Sequence, residues 1–405
     1  MSHPSERSRG WGTTAILIVM VAVGPLSTDL YLPALPAIAR DLGATPAEAQ
    51  LTIGLFIAGF AVMQLVCGPL ADRYGRRPVL LVGLVVFALA SVLCALATSI
   101  ETLLAARFLQ AVGASVGPVL GRAIVRDLYE PHDAGRILGT MASVMALAPL
   151  VAPFLGGWLT VAFGWHANFV ALVVMAVLLF LTVLWRLDET LRVPQLDALA
   201  PGRMLANYVR LIREPHYLGF ALCVAFAFGG LFSWISNSSF VVIEHFGVAP
   251  ERFGVVFAIV VGGFVVGAYA GSRLTGRLGY HRTVQLGVVA GLVLASLTAI
   301  CGWTGFGGLP AMTATIALAF LAYGLVLPQA TAGALAPFPM IAGTASALMG
   351  FTQMVVGFAV NALSSVWFDG TPRPMVTLNL ICAAAACAAF FAIARRAPAT
   401  ARATS

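Results

Sequence analysis

Charge is the scarcest commodity in this chain. Only 10% of its 405 residues are Asp, Glu, Lys or Arg, while 60% are hydrophobic. A soluble domain of this size needs far more charge to cover its surface. Lysine is missing altogether, so all 23 basic residues are arginines. Without lysine there is no G-x-x-x-x-G-K-[ST] phosphate loop, which argues against ATP as an energy source. There is no G-x-S-x-G, no H-E-x-x-H and no histidine pair at helical spacing. A membrane-embedded enzyme therefore lacks its nucleophile–base or metal set. The six cysteines (Cys67, Cys94, Cys223, Cys301, Cys382, Cys387) have no metal-like spacing and read as small apolar packing residues. No metal, cofactor or disulfide is expected, and no loop is long enough for the extramembrane domain of a receptor or scaffold.

What the chain has instead is apolar runs of membrane-crossing length. Twelve recur, at roughly 13–36, 50–71, 78–98, 102–125, 138–162, 165–187, 217–242, 253–273, 282–303, 309–330, 339–364 and 374–394. In lipid the backbone must satisfy its own hydrogen bonds, so runs this long and uniform are helices. The expected fold is an all-α integral membrane protein of twelve transmembrane helices. The first run is too long for a signal peptide and carries a proline-rich exit, so it reads as helix one.

The net charge of +7 invites a polyanion-binding reading, but the positions of the arginines oppose it. With the N-terminus inside, nineteen fall on the cytoplasmic side, including Arg7, Arg9, Arg73, Arg76, Arg77, Arg192, Arg277, Arg395, Arg396 and Arg402. Arg40, Arg252 and Arg373 face out, and Arg107 stays within a span. That asymmetry predicts both termini in the cytoplasm. No nucleic-acid partner is expected.

The longest polar connection, about Asp188 to His216, lies at the midpoint. It suggests an N-terminal six-helix bundle over 1–187, a cytoplasmic linker over 188–215 and a C-terminal bundle over 216–405. Within the linker, Met204 to Arg213 sets apolar residues beside arginines at helical spacing, as in a short helix on the inner membrane surface; an irregular linker is the alternative. The halves also echo one another. A shift of 204 residues carries Leu70, Arg73 and Gly75 onto Leu274, Arg277 and Gly279, while Asp72 becomes Gly276. A six-plus-six duplication places such an echo here, with a substrate site between the halves near mid-depth.

The first copy of that turn, GPLADRYGRRPV (Gly68 to Val79), packs two glycines, two prolines, an aspartate and three arginines into twelve residues. It resembles the loop between the second and third helices of major facilitator superfamily transporters. Further stretches narrow the resemblance: PLSTDLYLPALP (Pro25 to Pro36), RFLQAVGAS (Arg107 to Ser115), GRAIVRDLY (Gly121 to Tyr129) and APLVAPFLGGW (Ala148 to Trp158). FAFGGLFSWISNSSFVVIEHF (Phe226 to Phe246) and FPMIAGTASAL (Phe338 to Leu348) extend it. Together they resemble the bicyclomycin-resistance (Bcr/CflA) family of multidrug efflux proteins. The resemblance implies drug/proton antiport across a bacterial inner membrane, driven by the proton gradient, with a small-molecule drug or metabolite, protons and lipid as partners and a monomer sufficient. A metabolite exporter with incidental drug transport, and an uptake symporter, are the alternatives.

Particular residues then take candidate roles. Asp29 is the only carboxylate placed within a span, and an ionised carboxylate in a dry interior is costly, which suits a proton carrier. Arg107 lies at similar depth and matches the family's helix-four motif, so the two are expected to couple; the competing reading makes Asp29 an outer helix cap near water. Gly68, Asp72, Arg73, Gly75, Arg76 and Arg77 read as a cytoplasmic gate. Arg76 is set to pair with Asp127, and Asp72 to face the start of helix eleven near Pro339; a purely topological anchor is the alternative. Pro149, Pro153, Gly156 and Gly157 form a helix-five motif that the resemblance ties to export, plain helix packing being the alternative. Tyr31, Phe232, Trp234 and Asn237 offer aromatic surface with polar handles for a bulky amphipathic ligand, though each also suits packing.

Overall fold

The computed structural model describes residues 11–191, 201–338 and 341–394. Among them there is no strand, and fourteen α-helices carry the chain. In order these are α1 (Trp11–Asp29), α2 (Leu35–Asp41), α3 (Pro46–Tyr74), α4 (Arg76–Ala95), α5 (Ile100–Ala114), α6 (Val116–Leu128) and α7 (Pro131–Phe163). They continue with α8 (His166–Arg186), α9 (Pro201–Arg213), α10 (Pro215–Ser239), α11 (Pro250–Thr304), α12 (Gly308–Leu335), α13 (Ala342–Trp367) and α14 (Arg373–Ala389). Single π-helical stretches, Phe240–His245 and Phe390–Ala394, extend α10 and α14. Arg7, Arg9, Arg192, Arg395, Arg396, Arg402 and Pro339 lie outside the described residues, so the topology count rests on sequence at those positions.

Eleven helices among the described residues are long and apolar enough to cross a membrane. Two of these join neighbours: α1 runs on into α2 through a 3-10 turn at Leu32–Ala34, and α5 meets α6 at Ser115. The eleven differ from the twelve apolar runs at one place. Runs eight and nine fall on α11, whose 55 residues would extend roughly 80 Å as one rod. It is not one rod. Gly279 breaks it at φ 77 and ψ 159, a backbone conformation that side chains with a Cβ avoid. Gly75, the position 204 residues earlier, turns α3 into α4 at φ 102 and ψ 150. The sequence echo is thus an echo of backbone shape.

Local chemistry explains where other helices begin. Thr45 and Glu48 form a reciprocal capping box at the start of α3, with Glu48 N donating to Thr45 Oγ1 and Thr45 N to Glu48 Oε2. Ser99 Oγ accepts from Thr102 N to open α5.

The chain divides into two compact units. The first holds residues up to Ala200 with Pro250–Gly254; the second holds Pro201–Ala249 and the chain from Val255 onward. In the first, α4 packs on α5 and α8, α3 on α5, and α1 on α6 and α7. Close approach at the α1–α6 seam depends on Gly117, where an added Cβ would collide with the Met20 carbonyl. In the second, α10 packs on α12, α13 and α14. Large apolar side chains such as Leu89, Val174, Val293 and Val366 stay exposed on the outside, as a lipid-facing surface requires. The linker stretch forms α9, which packs on α10 and α13, with Leu211 buried and Arg210 and Arg213 exposed.

Candidate functional site

Arg107 is wholly buried inside the first unit. A guanidinium in that position needs acceptors, and α5 delivers two. Nη1 donates to the Ser27 carbonyl at 3.0 Å and to Gln110 Oε1 one turn on. Gln110 Nε2 in turn donates to Ser91 Oγ at 2.8 Å, and Ser91 to the Phe87 carbonyl at 2.7 Å. Arg107 Nε and Nη2 find no hydrogen-bond acceptor among the described residues. Rings take that place. The guanidinium carbon lies 4.2 Å from the Tyr31 ring centre, 4.4 Å from Phe56 and 5.9 Å from Phe169. Desolvated cation–π contacts of this kind are worth about 2 kcal/mol each.

Asp29, the last residue of α1, is also buried. Its carboxylate accepts from Thr28 Oγ1 at 3.1 Å, a hydroxyl that also donates to the Pro25 carbonyl. Among the described residues Asp29 and Arg107 form no ion pair. Arg107 instead grips the backbone two residues before Asp29, through Ser27. The two candidate residues therefore meet at one stretch of α1 without touching. Tyr31 completes this stretch, with its hydroxyl 3.1 Å from Thr52 Oγ1 and its ring 5.6 Å from Phe169.

The charged turn between α3 and α4 gathers a second cluster. Arg76 pairs with Asp72 at 2.6 Å and with Asp127, at the end of α6, at 3.2 Å. Thr190 Oγ1 donates to the same Asp127 oxygen at 3.2 Å. The first amides of α4 point at Glu189: Arg76 N to Oε1 at 2.9 Å and Arg77 N to Oε2 at 3.2 Å. Arg77 also donates to the Leu184 carbonyl at the end of α8. Arg73 stays exposed and lies over the Tyr74 ring at 5.3 Å. Gly68 sits one turn before Asp72 on α3, where an added Cβ would meet open space. Glu189 was not singled out by sequence reasoning. Its only signal is its place two residues beyond an apolar run, in a stretch otherwise read as linker.

Pro149, Pro153, Gly156 and Gly157 all lie inside α7, which runs through both prolines without a break. Both glycines are buried, and at Gly156 an added Cβ would overlap the Leu30 carbonyl, so α7 touches α1 beside Asp29.

In the second unit Trp234 is buried between Phe257 and Phe320, at ring distances of 4.9 and 5.5 Å. Asn237 Nδ2 donates to the Ser233 carbonyl at 2.7 Å and to Ser364 Oγ on α13. Phe232, on the same helix, is only partly covered and stacks at 4.5 Å on Phe228. Two further amides join this seam: Asn361 donates to Ser236 at 2.8 Å, and Asn379 to the Gly230 carbonyl at 2.9 Å while accepting from Tyr323. Sequence reasoning passed over Asn361, Ser364, Tyr323 and Asn379, because each is an isolated polar residue in an apolar run. Among the described residues no group of His, Cys, Asp and Glu is placed to hold a metal ion.

Helices that bury ionisable and amide groups in their interior while turning apolar faces outward define a multi-pass membrane transporter by class. The chain belongs to the Major Facilitator Superfamily, whose family profile matches residues 17–362. It is a transporter and not an enzyme. It is 34% identical over 389 residues to the MFS-type transporter YdgK of Bacillus subtilis (strain 168), covering 94% of this chain and 95% of the other. It is 28% identical to a bicyclomycin resistance protein homolog of Haemophilus influenzae, covering 93% and 95%. Among solved structures, a bacterial homologue of the human lysosomal transporter Spinster, inward-facing and occupied, superposes with a TM-score of 0.77 at 17% identity, covering 97% and 98%. That last likeness concerns the fold alone.

Proposed function

We propose that this protein exports small amphipathic drugs across a bacterial inner membrane in exchange for protons. The proposed architecture is twelve spans in two six-helix bundles with both termini cytoplasmic, α11 supplying two of the spans on either side of Gly279. A monomer suffices for the cycle.

The observation that carries the reading is the burial of Asp29 and Arg107 against the same stretch of α1 without an ion pair between them. A buried carboxylate that lacks a cation is costly when ionised, so it is a place where a proton is taken up and given back. When Asp29 loses its proton, the new charge competes with the Ser27 carbonyl for Arg107, and the backbone of α1 is the element that must yield. Gly156 places α7 directly on that backbone, so the Pro149, Pro153, Gly156 and Gly157 stretch would feel the change and bias the cycle toward export. The Asp72, Arg73, Arg76, Arg77 and Asp127 cluster, shaped by Gly68 and Gly75, serves as the cytoplasmic gate. Of the four aromatic and amide candidates, Phe232 is the one left partly uncovered. We assign drug contact to Phe232, with Trp234 and Asn237 of the same helix as its packed support; Tyr31 belongs with Arg107 in the first unit.

The test uses inverted membrane vesicles carrying this protein alone, a preformed proton gradient and a pH-quenched dye. Amphipathic antibiotics and amino acids are added singly. Particular drugs are expected to dissipate the gradient, and Asp29→Asn to abolish the response while drug binding persists. A response confined to amino acids would make drug transport incidental. Drug movement that leaves the gradient intact would refute proton coupling.

A further inference from the structure

Glu189 lies just beyond α8, in the stretch leading to the linker, yet its carboxylate makes four hydrogen bonds to backbone amides. Two belong to the first residues of α4, Arg76 and Arg77. The other two are its own neighbours Thr190 and Leu191, each at 2.9 Å. A carboxylate at a helix start satisfies donors that the helix itself leaves unpaired and suits the positive end of the dipole. Here one of those amides belongs to Arg76, the residue that pairs with Asp72 and Asp127. The contact is also closely fitted: at Gly75 an added Cβ would meet Glu189 Oε2. Next to it, Thr190 is buried and donates to Asp127. Residues 189 and 190 therefore clasp both sides of the Arg76–Asp127 pair, one through the α4 backbone and one through the acidic partner.

We propose that Glu189 is a positioning residue of the cytoplasmic gate, fixing the α3–α4 turn so that Arg76 faces Asp72 and Asp127, and making the segment that leads to the linker part of the gate. The inference rests on reading that cluster as a gate. Because Glu189 touches no candidate drug or proton residue, its loss acts on turnover and leaves apparent affinity for the drug alone. A reporter is built in. Cys67 is fully buried on α3, about one turn before Asp72, and becomes reactive when the turn loosens.

The experiment measures drug-driven proton release together with alkylation of Cys67, located by peptide mass spectrometry, in membranes bearing the full chain. In Glu189→Gln an amide nitrogen opposes one of the two α4 amides. Turnover is expected to fall and Cys67 alkylation to rise about tenfold each, the factor that corresponds to 1.4 kcal/mol, with KM unchanged. Glu189→Asp keeps the charge but retracts it, and an intermediate rise of about threefold is expected; this variant carries the test if the glutamine form fails to accumulate. Glu101→Gln, on the exposed first turn of α5, should change neither reading. A lower thermal midpoint in either Glu189 variant with Cys67 alkylation and turnover unchanged makes the residue a plain stabiliser and overturns the proposal. If Asp127→Asn speeds Cys67 alkylation while both Glu189 variants do not, the gate stands and the role of Glu189 falls. If none of the three changes it, the gate reading falls as well.

Discussion

A guanidinium enclosed by Tyr31, Phe56 and Phe169 depends on being flat. Arg107 presents a planar face to rings on either side and an edge to Ser27 and Gln110, which the compact ammonium of lysine cannot do. Arg107→Lys keeps the charge, and it is expected to cut drug-driven proton release by at least about tenfold, since the lost contacts exceed 1.4 kcal/mol. Full activity in the lysine form would show that charge alone matters. Gln110→Leu leaves one guanidinium donor and Ser91 without their partner inside the bundle, a change of about 1–3 kcal/mol. A lower thermal midpoint in detergent checks it. Arg107 could be found from sequence because it is the one arginine within a span. Gln110 and Ser91 could not, because a neutral polar residue in an apolar run carries no sign of the partner it meets across helices.

Among the elements, the two glycine turns offer a controlled comparison. Gly75 and Gly279 adopt nearly the same backbone conformation, so alanine at either incurs similar strain of about 1–3 kcal/mol. Only at Gly75 does the new methyl group also meet a carboxylate; at Gly279 nothing lies within 4 Å. Gly75→Ala should therefore lower the thermal midpoint clearly further than Gly279→Ala, and equal losses would mean that the Glu189 contact contributes nothing. The twelve apolar runs were legible because length and hydropathy alone decide what crosses a bilayer. The joining of two runs into α11 was not, since Gly279 permits the ladder on either side to approach without a loop. Nor does hydropathy reveal that the capping carboxylate of α4 lies more than a hundred residues further on.

For the whole molecule the arginine asymmetry sets the clearest expectation. A fluorescent protein fused after Ser405 should fold and fluoresce in the cytoplasm, and a phosphatase that is active only after export should be silent there. The opposite pattern would invert the proposed topology. The two units also differ in the chemistry of their interiors. The first is organised around ionisable groups, Asp29 and Arg107 within and Arg76 with its carboxylates at the turn, whereas the Asn237, Asn361 and Asn379 seam of the second is neutral. Arrangements of neutral amides leave little trace in composition, which is why the second unit was the less legible of the two.

The repeated turn carries one further consequence. Moving 204 residues along the chain turns Asp72, Asp127 and Glu189 into Gly276, Thr331 and Ile393. Arg76, the arginine that pairs in the first turn, becomes Tyr280, and Arg277, the counterpart of Arg73, is exposed and makes no ion pair among the described residues. Two bends of one shape thus differ in what holds them: the first is braced by ions, the second by neutral contacts, with Thr283 Oγ1 donating to the Gly279 carbonyl and Tyr280 packed on Phe220. Salt weakens exposed ionic contacts and leaves backbone geometry untouched. On the proposed topology the ionic strength of the cytosol bears on the first copy of the bend, to an extent limited by the partial burial of Arg76, and has no comparable ion pair to act on in the second.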